Sequence, residues 1–283
     1  RPGTQHLTEY YLWISFGGVL GGFFNGFLAP LIFTGVQEYP LALITAALVR
    51  PRLDASAGNA AGYARDFVWA TALFVIIVSV VLWVDAEAAL SARLAHLMIF
   101  GLSGLIGLSF APRPLRFGLG IGAIMLATSW YDGPYGEVLF SERSFFGVYR
   151  AIREPERNLH VIFHGTTLHG AQNLDPKKRL EPLSYYHPSG PASEAFKALG
   201  ENALPKPVAI VGLGAGAMAC YGQRGQDFVF YEIDALVERI ARDQALFTYL
   251  RVCPPRVSVH IGDARVTVAS AADQTYSVFV LDA

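Results

Sequence analysis

The sequence predicts a membrane α-helical region followed by α/β structure, with a small antiparallel β piece leading into a doubly wound sheet that is truncated after its fourth strand. Three observations carry this. The 283 residues are 53% hydrophobic and only 16% charged, with the apolar runs concentrated in 10–130 and most of the charge after 131; such asymmetry marks two regions of different solvent. From 138 the hydrophobic period shortens to that of strands. From 208 short apolar strands alternate with helical patterns, the first of them running into a glycine turn. The expected divisions are 1–130 for the helical region, 131–193 for the β piece and its loop, and 194–283 for the nucleotide-binding sheet.

In the first region, 10–33 ("YYLWISFGGVLGGFFNGFLAPLIF") is long enough to cross about 30 Å of hydrocarbon. Tyr10, Tyr11 and Trp13 suit an interfacial belt. Gly18, Gly22 and Gly26 recur every fourth residue, as on a face that packs against another helix. Residues 67–84 carry no charge and form the strongest span; 94–110 and 114–130 are weaker, and 41–49 is too short to cross. About four spans are expected. Nothing in this region pairs an intramembrane acid with a base, which argues against a transport pathway. Arg50, Arg52 and Arg65 fall in one loop and Arg113 and Arg116 in another. Positive-inside placement of both loops puts the C-terminal part outside if 114–130 crosses. A ligand made and kept in the cytosol asks for the opposite.

After 138, "VLFSERSFFGVYRAI" and "LHVIFHGTTLHGA" read as antiparallel hairpins, and 174–193, rich in Pro, Ser and charge, reads as loop. A short helix then ends near Gly200. The α/β repeat follows: a strand at 208–211, a glycine turn and helix to about Arg224, a strand at 228–234, a helix over 236–250, a strand at 256–265, a helix at 266–271 and a strand at 276–283. The net charge of −1 gives no reason to expect a nucleic-acid partner. Cys220 and Cys253 provide no disulfide framework and no metal spacing. The chain starts at Arg1 and stops just after an apolar strand, so it is read as a fragment of a longer protein.

Gly212-x-Gly214, with Gly216 behind it, allows backbone to approach a ligand closely. Glu232, at the tip of the next strand, can accept from both hydroxyls of a ribose, a feature shared by nicotinamide and S-adenosyl ligands. Asp263 ends the third strand, where an acid can accept from an adenine amino group. Asp282 ends the fourth, beside the switch point. Carboxylates at three successive strand tips suit a ligand bearing a sulfonium and an ammonium, and would repel a pyrophosphate.

The segments "RSFFGVYRA", "HGTTLHGAQNLDP", "PLSYYHPSGP", "VAIVGLGAGAMACYG", "FYEIDALVERIARD", "GDAR" and "VFVLDA", in this order, resemble the membrane-fused spermidine synthase-like proteins of bacteria. "HLTEYYLWISFGGVLGGFFNGFLAPLIF" with "EYPLAL" resembles their membrane part. The resemblance implies a methyltransferase-like Rossmann sheet and aminopropyl transfer from decarboxylated S-adenosylmethionine to an amine. Gly212, Gly214 and Gly216 would face the donor, Glu232 with Asp234 would take its ribose or amine end, and Asp263 its adenine. Asp282 falls at the family's catalytic acid. Tyr186 and His187 fall near its substrate segment, with His169 and Gln172 on the same side, and no metal is implied. Where soluble synthases have Asp-Gly-x-x-Gln, this chain has His164, Gly165, Thr166, Thr167 and Leu168, and Pro188 follows the Tyr–His pair in place of Glu. The implied partners are a small amine and a lipid bilayer, and the implied location is the bacterial inner membrane with the Rossmann-like part cytoplasmic. The rival readings are a methyltransferase using intact S-adenosylmethionine and a membrane protein that binds a ligand without chemistry. The fragment by itself is expected to be inactive.

Overall fold

The computed structural model describes residues 2–51, 60–86, 91–129, 131, 136–200, 206–272 and 275–282. The chain divides into two compact units, Arg1–Pro134 and Tyr135–Ala283.

The first unit is helical. Among the described residues, Thr4–Ile32 and Ala60–Ala86 are the two helices long and apolar enough to cross a membrane; Glu38–Leu48, Arg93–Ser109 and Pro114–Thr128 are apolar but shorter. The four spans expected from hydropathy therefore reduce to two of crossing length, because Pro112 and Pro114 and the turn at 110–113 cut the third and fourth apolar runs short. Helix Thr4–Ile32 widens into a π-type turn over Phe24–Leu28, just before Pro30. A proline cannot donate to the preceding turn, and a widened turn accommodates this.

Small residues serve packing in a different helix from the one expected. A Cβ added at Gly18, Gly22 or Gly26 would meet nothing within 4 Å. In Pro114–Thr128, a Cβ at Gly118 would lie 2.6 Å from the Leu48 side chain, and one at Gly120 would lie 2.8 Å from Phe110. These glycines let helix 114–128 sit tightly on its neighbours, around a core of Leu73, Ile77, Val81, Ile99, Phe110 and Ala127. Among the described residues a buried acid does pair with bases in this region, immediately before the charge-free run 67–84. Asp66 is 1% exposed. It accepts from Nε of Arg116 at 2.9 Å and from Nε of Arg113 at 3.2 Å. A carboxylate taken out of water needs such partners.

The second unit contains two sheets. β1 (Glu137–Ser144), β2 (Gly147–Glu154), β3 (Leu159–His164) and β4 (Thr167–Asn173) form an antiparallel meander in chain order. β5 (Val208–Val211), β6 (Asp227–Glu232), β7 (Arg256–Ile261) and β8 (Val278–Leu281) form a parallel sheet in the order β7-β6-β5-β8. The strand order reverses beside β5, which is where open α/β sheets bind ligands. One core joins the two sheets: Tyr149, Ala151 and Ile162 pack with Val208, Ile210, Phe228 and Phe230. The segments 131–193 and 194–283 of the sequence reading thus share a single interior.

Three local expectations change. The glycine turn leads into a short 3-10 helix, Ala217–Tyr221, that stops well before Arg224. The helix expected over 236–250 is Ala235–Arg242, followed by a break and a turn at Tyr249–Val252. At the break, the Asp243 side chain accepts from the Ala245 N–H at 2.9 Å, while its carbonyl accepts from Leu246 and Phe247. This local bonding competes with the helix and turns Leu246 and Phe247 into the core. Finally, Cys220 and Cys253 are disulfide-bonded, with Cα atoms 4.7 Å apart. Their sequence contexts looked unrelated. The Tyr249–Val252 turn packs on the glycine turn, with Leu250 against Gly216, and this brings the sulfurs together.

Closing a loop of sequence separation 33 restricts the unfolded chain and is worth about 3–4 kcal/mol. Reduction should therefore lower the unfolding midpoint of the purified protein. Maleimide labelling should find no reactive thiol until reductant is added, and equal midpoints with and without reductant would contradict the pairing.

Candidate functional site

The carboxyl ends of β5, β6, β7 and β8 open onto a cavity of about 920 Å³, lined also by Tyr149, Ile162, Leu168, His169, Tyr185 and Tyr186. Its floor is the glycine turn. Gly214 has φ +52°, and a Cβ there would lie 2.7 Å from the His169 carbonyl oxygen. Only glycine tolerates both conditions, so the turn touches β4 directly. Gly212 and Gly214 line the cavity. Gly216 does not, and its missing Cβ makes room for Leu250.

Glu232 is 8% exposed at the end of β6. One carboxylate oxygen accepts from the Leu213 N–H in the glycine turn, and the other from the Asp234 N–H, each at 3.0 Å. Burial pushes its carboxyl above the ordinary value, opposed by these backbone donors. Glu232 therefore both clamps the turn and faces the cavity. Asp234, 5% exposed, does not line the cavity. It caps helix Ala235–Arg242 through the Leu236 N–H at 2.9 Å and accepts from the Ser144 hydroxyl at the end of β1.

Asp263 reaches the cavity as the cap of the short helix that follows β7. Its carboxylate accepts from the Arg265 N–H at 2.9 Å and from the Arg265 guanidinium at 2.5 Å. The guanidinium holds the Asp263 carboxyl below the usual carboxylate range. The cup of carboxylates is thus partly neutralised at its Asp263 end, by a cation two residues from the acid it offsets.

Asp282 continues the β8 ladder, its N–H donating to Val211 at 3.0 Å. Its carboxylate accepts from the Tyr186 hydroxyl. Desolvation raises the Asp282 carboxyl, against the Tyr186 hydrogen bond and the charge of His169. Tyr186 is raised in turn by desolvation and by Asp282. His169 is lowered by desolvation and by His164, so its neutral form is favoured near neutral pH. Tyr186 is fixed at its backbone, where its carbonyl accepts from Tyr221, and the neighbouring Tyr185 donates to Leu168. Asp282, Tyr186 and His169 therefore meet on one wall.

Two further residues from the sequence stand elsewhere. Gln172, 2% exposed, does not line the cavity. Its amide donates to the Arg179 carbonyl at 3.0 Å and the Thr248 hydroxyl at 2.9 Å, while its oxygen accepts from the Thr248 N–H at 2.8 Å. His187 bonds Ser189 at 2.7 Å and lies 3.6 Å from Glu181, also outside the lining. Sequence reasoning passed over Tyr149, Tyr185, Leu168 and Arg265, which do line it. For Arg265 a signal existed, since a cation two residues after a helix-capping Asp can fold back onto it. Tyr149 faces inward by the alternation of β2 and stacks on His164 with ring centroids 4.4 Å apart. Among the described residues no cluster of His, Cys, Asp and Glu is placed to hold a metal.

No protein-family model and no curated protein matches the chain. Two solved structures that match are a spermidine synthase in complex with the transition-state analogue AdoDATO and the spermidine synthase from Thermotoga maritima. The first is 16% identical with TM-score 0.35, covering 52% of this chain and 48% of its own. The second is 16% identical with TM-score 0.38, covering 52% of this chain and 47% of its own. The chain thus spans about half the length of each of these structures.

Two outcomes follow. Gln172→Ala should cost about 1–2 kcal/mol of stability, because it removes a buried amide whose oxygen is the acceptor of the half-buried Thr248 N–H; an unchanged denaturation midpoint would contradict this. Because the folded state raises the Asp282 carboxyl, it binds that proton more tightly than the unfolded chain does. Its contribution is therefore favourable at low pH and is lost as pH rises through the raised value. The unfolding midpoint of Asp282→Asn should be at least that of the parent at neutral pH and should converge with it on acidification.

Proposed function

We propose that the second unit binds an adenosyl sulfonium donor and transfers its aminopropyl group to an amine. The observation that carries this reading is the meeting of a ligand-facing glycine turn, clamped by Glu232, with the Asp282–Tyr186–His169 wall in one cavity. The sequence resemblance to membrane-fused spermidine synthase-like proteins points the same way.

The donor's adenosine would lie over Gly212 and Gly214, with its ribose toward Glu232 and its adenine toward Asp263 and Arg265. The methylene next to the sulfonium would face Asp282. The neutral amine attacks that carbon, the new N–C bond forms as the C–S bond breaks, and the C–S electron pair stays on sulfur as a neutral thioether. The leaving group thus needs no proton. The Asp282 carboxylate orients the amine and takes a proton from its nitrogen as the N–C bond forms, and its raised pKa makes it a better acceptor than an exposed aspartate. Tyr186 holds that carboxylate in one orientation.

We further propose that the first unit anchors the chain in a bilayer. The apolar windows of its two long helices are 6% and 28% buried, which leaves much apolar surface to be covered by lipid. Supply of the donor places the second unit on the cytosolic face of a bacterial inner membrane. Thiols there are kept reduced, so in intact cells Cys220 and Cys253 should be labelled without added reductant; persistence of the disulfide seen in the structure would put the unit on the other face.

The test uses the full-length protein in detergent. Calorimetry should show decarboxylated S-adenosylmethionine binding more tightly than the intact form, and mass spectrometry should detect an aminopropylated amine. Asp282→Asn should lower turnover by about 10²-fold or more while changing donor affinity less than about threefold. Methyl transfer from intact S-adenosylmethionine, or turnover undiminished in Asp282→Asn, would refute the reading.

A further inference from the structure

In the first unit two arginines hold a single buried acid, and a third arginine stands over the residue that follows one of them. Arg113 and Arg116 each give Nε to Asp66, and their side chains are 23% and 18% exposed. Only Nε of each is spent on the carboxylate. The Arg116 guanidinium also lies 6.0 Å from the Trp69 ring and 5.9 Å from Phe110. Arg50 stands over Phe117, the neighbour of Arg116, at 5.0 Å from the ring centroid. Its Nε and Nη2 are buried without a hydrogen-bond partner. Among the described residues, the single charge of Asp66 faces the two of Arg113 and Arg116, and Arg50 adds a further cation over Phe117. Aromatic faces lower the cost of the excess charge but accept no conventional hydrogen bonds.

We propose that this corner binds a phosphate oxyanion. Planar guanidinium groups match the oxygens of a phosphate in paired hydrogen bonds. Such a ligand would supply acceptors for the orphaned Arg50 donors and cancel the uncompensated charge. Its source is the phosphodiester of an anionic lipid headgroup or free phosphate. Basic pockets between apolar helices take lipid headgroups elsewhere, and Arg50 and Arg113 lie at the ends of apolar helices here. Neither the donor cavity nor the chemistry proposed for it enters this inference.

The test is thermal unfolding of the full-length protein in a phosphate-free, uncharged detergent. One arm adds phosphatidylglycerol in mixed micelles, and the other adds inorganic phosphate. Either should raise the midpoint by about 3–5 °C at saturation, and the effective arm identifies the source. Arg50→Gln should abolish the shift. Arg50→Lys, which keeps the charge and loses the paired geometry, should weaken it and serves if the Gln variant does not fold. Lys177→Gln with Lys178→Gln, exposed and in the second unit, should leave the shift intact. Absence of a shift in both arms, or a shift that survives both Arg50 variants, overturns the proposal.

Discussion

The site rests on one buried carboxylate. Glu232 sits at the end of β6 with an amide of the glycine turn on one oxygen and the Asp234 amide on the other. A carboxylate so placed costs desolvation energy, and the two amides offset part of that cost. The offset holds only while the turn stays against β6. Asp234, placed by the second amide, fixes the next helix and binds Ser144 of the meander. Burial of a single acid thus ties the first parallel strand, the second parallel strand and the antiparallel sheet into one arrangement.

The opposite wall has no such buried clamp. Asp282, Tyr186 and His169 come from β8, the loop after β4, and β4 itself, and they are aligned by contacts distant in sequence. Tyr221 holds the Tyr186 backbone, and the disulfide holds the short helix that carries Tyr221. A loop tied down at several points can present side chains nearly as firmly as a strand does.

The sequence made some of this readable. The order of the strands, the glycine turn, Glu232 and Asp282 were visible because apolar strand followed by glycine, and strand followed by acid, are local patterns. What failed depended on partners far along the chain. Asp234 and Gln172 carry the residue types of ligand-binding groups, but their polar atoms are consumed by a helix cap and by Thr248. The helix expected through Leu250 breaks at Asp243 because Leu246 and Phe247 are needed in the core. Arg113 and Arg116 looked like loop charges, since nothing near them in sequence announces Asp66. Apolar length alone also overstated the crossing helices, because hydropathy does not register where a turn cuts a run.

The closeness of Gly214 to the His169 carbonyl has a consequence for the order of events. With no side chain between them, the glycine turn and β4 cannot move independently. A ligand that settles onto the turn shifts or stiffens the strand that carries His169, and a ligand held by His169 does the same to the turn. Were both halves of the cavity occupied, any coupling carried by this contact would be reciprocal, each occupant altering the affinity of the other by the same factor.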